Sequence, residues 1–124
     1  MNEELYKEYI LDLYKNPLNR KELSNFDFRH REFNPLCGDE VDLMIKFDKS
    51  GKVSEVGWQG QGCAISQASA SLFTDKIKGM NWQGLIAINP TDVLSWLGLE
   101  NLNPTRQRCA LLVYEALKKY VAKN

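Results

Sequence analysis

The chain has 124 residues, of which 44% are hydrophobic, and its sixteen basic and sixteen acidic side chains cancel. A chain of this length can bury a core of its own, so we expect one domain over residues 1–124. The balanced charge provides no basic surface for nucleic acid or for an anionic membrane. The sequence has no apolar run of the roughly 20 residues that cross a bilayer, and its charged start, Met1–Glu8, is unlike a signal peptide. These features predict a cytoplasmic protein.

The first half of the chain predicts a helix followed by a small sheet. Apolar residues recur at helical spacing over Glu3–Tyr14, and Asn16–Pro17 ends the pattern. Apolar and polar residues alternate weakly over Phe26–Phe33 and more clearly over Val41–Phe47 and Val53–Gln59. Because a short turn containing glycine joins the last two stretches, we predict a three-stranded antiparallel meander.

The second half predicts helices. One covers Ile65–Ile77, a short one follows Asn81, and a third begins at Asn89–Pro90 and ends at Gly98. The last begins at Asn103–Pro104 and continues unbroken to the C-terminus. Strands followed by helices indicate an α+β fold, in which helices pack on one face of the small antiparallel sheet.

The three cysteines cannot all pair within one chain. In a reducing compartment they stay thiols, which favours metal binding or thiol chemistry over a disulfide framework. The alternative is that all three are small buried hydrophobic residues.

Cys37 lies in the segment Asn34–Asp39, where proline and glycine favour an irregular loop that lets Cys37 and Asp39 face one point. The pair offers one soft and one hard anionic ligand. Alternatively, Asp39 is a turn residue that accepts hydrogen bonds from its own backbone.

Cys63 stands at a predicted helix start, where free N–H groups and the helix dipole stabilise a thiolate. Gly60 and Gly62 permit close approach of the backbone. Cys109 lies near Arg106 and Arg108, whose charges could stabilise a second thiolate, but Cys109 also fits the apolar stripe of its helix.

Three thiolates and one carboxylate can fill a tetrahedral site for zinc or for iron. Arg106 and Arg108 could offset its negative charge by hydrogen bonds to ligand sulfurs, or be solvated residues early in a helix. No paired Cys-x-x-Cys motif is present.

The one histidine, His30, is predicted to be a solvent-facing strand residue. A third possible function is a hydrolase with Cys63 as its nucleophile, but such an enzyme needs a base close to the nucleophile, and His30 is the only histidine that could serve.

Three motifs resemble the U-type iron-sulfur assembly proteins, which comprise IscU, SufU and the amino-terminal domain of NifU. They are Asn34–Asp39, Gly60–Ser66 with the alternating alanines and serines up to Ser71, and Arg106–Ala110. The resemblance covers nearly the whole chain and implies the SufE/NifU-like fold, with the cysteines gathered at one end. The second motif is most like SufU.

The resemblance to SufU implies a zinc site of Cys37, Asp39, Cys63 and Cys109 that accepts persulfide sulfur from a cysteine desulfurase of the SufS or IscS type. Cys37 is the implied acceptor and Cys109 the alternative. The resemblance to IscU implies a non-enzymatic scaffold, in which Cys37, Cys63 and Cys109 hold a transient [2Fe-2S] cluster for delivery to apo-proteins. On the first reading the protein is at most a zinc-dependent sulfurtransferase.

The chain departs from both patterns. IscU scaffolds have a histidine directly before the last cysteine, whereas this chain has Arg108 there, and SufU proteins also lack that histidine. The stretch between Cys63 and Cys109 lacks the insertion that is typical of SufU. The segment that IscU offers to its chaperone appears as Leu102–Arg106 with a different sequence, which argues against that partner.

Overall fold

The computed structural model describes residues 3–36, 38–98 and 102–123, and within these ranges the side chains of residues 8–122. Six helices and three strands follow one another along the chain: α1 Glu3–Lys15, β1 Phe28–Asn34, β2 Asp39–Phe47, β3 Val53–Gln61, α2 Ala64–Ile77, α3 Trp82–Ala87, α4 Pro90–Leu97, α5 Pro104–Ala110 and α6 Leu112–Lys123.

The strands form one antiparallel sheet in the order β1-β2-β3. Asn34 pairs with Asp39, and Glu40 pairs with Gln61, so the last residues of β1 and β3 meet the start of β2 at one end of the sheet. The predicted meander is confirmed. Its geometry places Asp39 at the end of the sheet from which β3 leads into α2.

The main core lies between one face of the sheet and the helices. Val41, Leu43 and Ile45 of β2 are almost fully buried and belong to one apolar cluster with residues of α2 and α6. The predicted α+β class with helices against one sheet face is therefore confirmed. Burial of these aliphatic side chains removes apolar surface from water, which is the main stabilising contribution to such a core.

Helix α1 packs on α2, and the segment that follows α1 covers the edge of β3. The Trp58 backbone N–H donates to the Asn19 carbonyl at 3.1 Å, and the Trp58 indole N–H donates to the Leu18 carbonyl at 2.8 Å. These bonds hold the segment against the sheet edge, so residues just after Leu18 come close to the end of β3.

The predicted helix starts are confirmed at three asparagines. The side chains of Asn81, Asn89 and Asn103 accept hydrogen bonds from backbone N–H groups in the first turns of α3, α4 and α5. Gly98 ends α4 in the left-handed conformation at φ 69°. Among the described residues, no helix combines the length and apolar character needed to cross a membrane.

The prediction of one unbroken C-terminal helix is wrong. Helix α5 ends at Ala110, Leu111 adopts φ −94° and ψ 2°, and α6 begins at Leu112. The Ser69 hydroxyl of α2 donates to the Ala110 carbonyl at 2.5 Å. In a continuous helix that carbonyl would accept the N–H four residues later, so the bond from α2 favours a break at this point.

Candidate metal centre

Asp39, Cys63 and Cys109 converge at the end of the sheet described above. One carboxylate oxygen and the two sulfur atoms all lie within 4.8 Å of one another. Asp39 is the first residue of β2, Cys63 precedes α2, and Cys109 lies in α5. Three elements that are distant in the sequence therefore bring together one oxygen and two sulfur ligands.

Asp39 has two oxygens in different surroundings. Oδ1 accepts the Cys63 backbone N–H at 3.3 Å. Oδ2 is buried and has no hydrogen-bond partner within the part of the chain that the structure describes. A buried carboxylate oxygen without a partner is costly, and it is also a ligand that zinc accepts beside cysteine sulfur. The Asp39 and cysteine donor set therefore fits a zinc or iron ion.

Cys63 is the N-cap residue of α2, as the sequence predicts. Its sulfur accepts the Ser66 backbone N–H at 3.5 Å, and the Ser66 hydroxyl lies 3.8 Å from it. The first N–H groups of α2 therefore face Sγ, so the sulfur lies where the helix end offers hydrogen-bond donors. Cys63 is only partly buried, whereas Asp39 and Cys109 are both buried.

The glycines before Cys63 are required by close packing against β2. Gly62 has φ +146°, and a Cβ atom there would lie 2.5 Å from Cγ and Oδ1 of Asp39. A Cβ atom at Gly60 would overlap the Glu40 carbonyl oxygen. The loop can therefore place Cys63 beside Asp39 only with glycine at these positions.

Cys109 is 5% exposed and packs in a second apolar cluster with Ile65, Ala68 and Leu72 of α2. Core packing and metal binding, the two interpretations of Cys109, are therefore compatible. Its side chain contributes to the apolar cluster, while its sulfur lies within 4.8 Å of a carboxylate oxygen of Asp39 and of the Cys63 sulfur.

Cys37, the remaining ligand implied by the resemblance, lies outside the described residues. On either side of it, the Leu36 N–H donates to Asn34 Oδ1 at 3.1 Å and the Gly38 N–H donates to the Asn34 carbonyl at 2.9 Å. The buried Asn34 thus stabilises the turn that leads into Asp39.

Arg106 and Arg108 are both exposed. Arg108 lines a cleft of about 540 Å³ between the Glu32–Leu36 segment and helices α5 and α6.

His30 is partly buried rather than solvent-facing; its Nε2 lies 3.4 Å from Oε2 of Glu32 on the same strand. His30 is not part of the one group among the described residues, Asp39, Cys63 and Cys109, that could hold a metal ion.

Two polar residues that no sequence motif indicated hold the loop before Cys63. Arg20 Nη2 donates to the Gly60 carbonyl at 2.9 Å, and Gln67 Nε2 donates to the Gly62 carbonyl at 2.9 Å. Gln67 is a long polar side chain among the mostly small or apolar residues in the first turns of α2, and this contrast is only a weak indication of a functional role. Nothing in the sequence around Arg20 indicated its contact with residues 40 positions later.

The model of the NifU-like N-terminal domain matches residues 5–124. The chain belongs to this family. The zinc-dependent sulfurtransferase SufU of Bacillus subtilis (strain 168) is 33% identical, over 97% of this chain and 91% of the relative. The iron-sulfur cluster assembly scaffold protein IscU of Escherichia coli (strain K12) is 31% identical, over 94% of this chain and 91% of the relative.

Solved structures agree with this family assignment. A protein described as an iron-sulfur cluster assembly scaffold for the SUF system, from Fervidobacterium islandicum AW-1, has a TM-score of 0.76 at 26% identity, over 95% of this chain and 98% of that one. The N-terminal part of a NifU-like protein from Brucella abortus has a TM-score of 0.73 at 19% identity, over 96% of this chain and 93% of that one, and supports the fold alone. The resemblance inferred from the three motifs is confirmed.

Proposed function

We propose that this protein accepts persulfide sulfur from a cysteine desulfurase at a zinc site formed by Cys37, Asp39, Cys63 and Cys109. The observation that carries the proposal is the convergence of Asp39, Cys63 and Cys109 ligand atoms within 4.8 Å, with one buried Asp39 oxygen lacking a described partner. The printed name of the Bacillus relative supports zinc as the metal.

When bound, zinc favours the deprotonated form of the cysteine ligands at neutral pH. The chain contributes the helix start whose Ser66 N–H donates to Cys63 Sγ and the backbone N–H that orients Asp39. The role of Arg106 and Arg108 beside the ligand sulfurs stays a prediction, and their exposure leaves both side chains able to reorient.

Sulfur transfer needs only an exchange between sulfur atoms. A cysteine thiolate of this protein attacks the outer sulfur of the desulfurase persulfide, the persulfide S–S bond breaks, and the desulfurase thiolate leaves. No external oxidant is required. The 5% exposure of Cys109 disfavours it as the first acceptor, and the resemblance to SufU favours Cys37, which we retain as the proposed acceptor.

A second candidate function is the assembly of a [2Fe-2S] cluster on the same residues, followed by its transfer to apo-proteins. The alignment with the SufU relative extends over 137 positions, more than the 124 residues of this chain, whereas the alignment with the IscU relative extends over 123. The extra residues of the Bacillus relative are absent here, as they are from the Escherichia coli IscU relative, and this likeness supports an IscU-like role. In that case the protein is a scaffold rather than an enzyme.

Both candidate functions require reduced thiols, which supports our prediction of a cytoplasmic location. The desulfurase and the recipient proteins are the partners that we propose. The neutral net charge supports the expectation that neither nucleic acid nor membrane is a partner.

The first experiment is metal analysis of the anaerobically purified protein, followed by incubation with a cysteine desulfurase and L-cysteine. Mass spectrometry then locates any added sulfur atom. The variants Cys37→Ser, Cys63→Ser, Cys109→Ser and Asp39→Ala test each ligand, and His30→Ala is the control outside the metal-ligating group.

About one zinc per chain, lost in the ligand variants but not in His30→Ala, with sulfur added to Cys37, is the result expected for sulfur transfer. Iron with acid-labile sulfide after reconstitution, without added sulfur on a zinc-loaded protein, would favour the scaffold. Unchanged metal content in all four ligand variants would contradict both functions.

A further inference from the structure

An arginine outside the ligand set contacts the loop that carries Cys63. Arg20 donates from Nη2 to the Gly60 carbonyl at 2.9 Å and from Nη1 to Gln67 Oε1 at 3.1 Å. Its guanidinium carbon lies 5.2 Å from the centre of the Trp58 ring. Two directional hydrogen bonds and an aromatic face therefore fix the orientation of this cation, although the residue is exposed.

Gln67 extends this contact to the peptide group between Gly62 and Cys63. Its Nε2 donates to the Gly62 carbonyl at 2.9 Å, while the N–H of the same peptide group, on Cys63, donates to Asp39 Oδ1 at 3.3 Å. The hydrogen bonds thus run without interruption from Arg20 through Gln67 and the 62–63 peptide to the Asp39 carboxylate. Groups linked in this way polarise one another and strengthen each bond.

The far end of this chain of hydrogen bonds selects one oxygen of Asp39. Because Oδ1 accepts the Cys63 N–H, Oδ2 is the oxygen left buried without a described partner. A carboxylate held through one oxygen presents the other in a fixed direction. Arg20 also brings positive charge to a site whose carboxylate and thiolates are negative.

We propose that Arg20 and Gln67 are positioning residues that orient Asp39 Oδ2 and the Cys63 loop for metal binding. The inference deepens the proposed function and rests on the metal site proposed above. Neither side chain needs to touch the metal. Removal of either one loosens the orientation of the 62–63 peptide and therefore weakens the affinity of the site for zinc.

The test compares Arg20→Gln, Gln67→Leu and the double variant with wild-type protein. Lys21→Gln is the matched control, because it removes the same charge from the neighbouring exposed residue. Zinc affinity is measured by competition with a chromophoric chelator, and the Co²⁺-substituted protein provides an absorption spectrum that reports ligand geometry. Urea unfolding of the metal-free variants measures any general loss of stability.

We expect Arg20→Gln and Gln67→Leu each to weaken zinc binding roughly 10- to 100-fold and to change the Co²⁺ spectrum. The double variant should be little weaker than either single variant, because both interrupt the same chain of bonds. Lys21→Gln should bind zinc as wild-type protein does.

Equal zinc affinity of Arg20→Gln and Lys21→Gln would overturn the inference and leave the proposed function intact. So would a loss of affinity accompanied by an unchanged Co²⁺ spectrum and a matching loss of metal-free stability. Wild-type protein that binds neither zinc nor iron would overturn the proposed function itself, and that result appears before any variant is made.

Discussion

At position 62 a single added methyl group would reach the Asp39 carboxylate. In Gly62→Ala the new Cβ atom would lie 2.5 Å from Asp39 Cγ, so the loop or the carboxylate must move. We expect the variant to lose about 1–3 kcal/mol of unfolding free energy, which is typical of a strained backbone position, and to bind zinc at least tenfold more weakly. Denaturant unfolding and zinc competition measure the two effects.

Gly51→Ala is the matched control for this prediction. Gly51 also has a positive φ, +83°, but a Cβ atom there would have no heavy atom within 4 Å. It should lose stability through backbone strain while its zinc affinity stays that of wild-type protein. Equal zinc affinity in the two glycine variants would contradict the role given to Gly62.

The proposed ligands and the two residues proposed to position them differ in how far the sequence predicts them. Asp39, Cys63 and Cys109 each lie in a short motif whose residues are adjacent in the chain, so the motifs identify them. Arg20 and Gln67 are 47 positions apart and meet only because the segment after α1 runs along the edge of β3. Sequence periodicity carries no information about that path.

At the scale of elements, one hydroxyl of α2 adds a directional hydrogen bond to the apolar packing between α2 and α5. Ser69→Ala removes the donor to the Ala110 carbonyl, next to Cys109. We expect a loss of about 1 kcal/mol in unfolding free energy, typical of one hydrogen bond, and weaker zinc binding because α5 can turn about its axis. Calorimetry of zinc binding and denaturant unfolding provide the two measurements.

Ser71→Ala is the control on the same helix. Ser71 is also fully buried, and its hydroxyl accepts the Leu18 N–H at 3.2 Å, away from Cys109. It should be destabilised to a similar extent, and its zinc affinity should fall less than that of Ser69→Ala, because Leu18 reaches the site only through Arg20. If both serine variants lost zinc affinity equally, the link from Ser69 to Cys109 would be refuted.

The sequence predicts most element boundaries because their signals are local. Asparagine followed by proline marks the starts of α4 and α5, and Gly98 marks the end of α4. The break at Leu111 has no such signal, since the apolar stripe of α5 continues in α6. It depends on a hydroxyl 41 positions earlier in the chain, which only the packed structure brings to Ala110.

At the scale of the whole molecule, a bound metal would connect the start of β2 with the segments that begin α2 and form α5. Because the folded state alone assembles these ligands, metal binding should raise the free energy of unfolding by about 2.7 kcal/mol at a free zinc concentration of a hundred times the dissociation constant. We expect chelation to lower the melting temperature and zinc to restore it.

Asp39→Ala provides the reference for that measurement. It lacks the oxygen ligand, so its melting temperature should respond much less to chelator or zinc than that of wild-type protein. Acidification should release the metal from the wild-type site, since protons compete for the thiolates. If chelator left the melting temperature of the zinc-loaded wild-type protein unchanged, that result would argue against the proposed metal site.

The buried Asp39 Oδ2 has a consequence for the lifetime of the protein in a cell. A carboxylate oxygen shielded from water without a partner costs about 1–3 kcal/mol, and that cost lowers the stability of every molecule that has not yet received its metal. Such molecules unfold more often and are cleaved more often by proteases. Abundance of the protein would then follow metal supply, and its proteolytic half-life with and without zinc would measure the dependence.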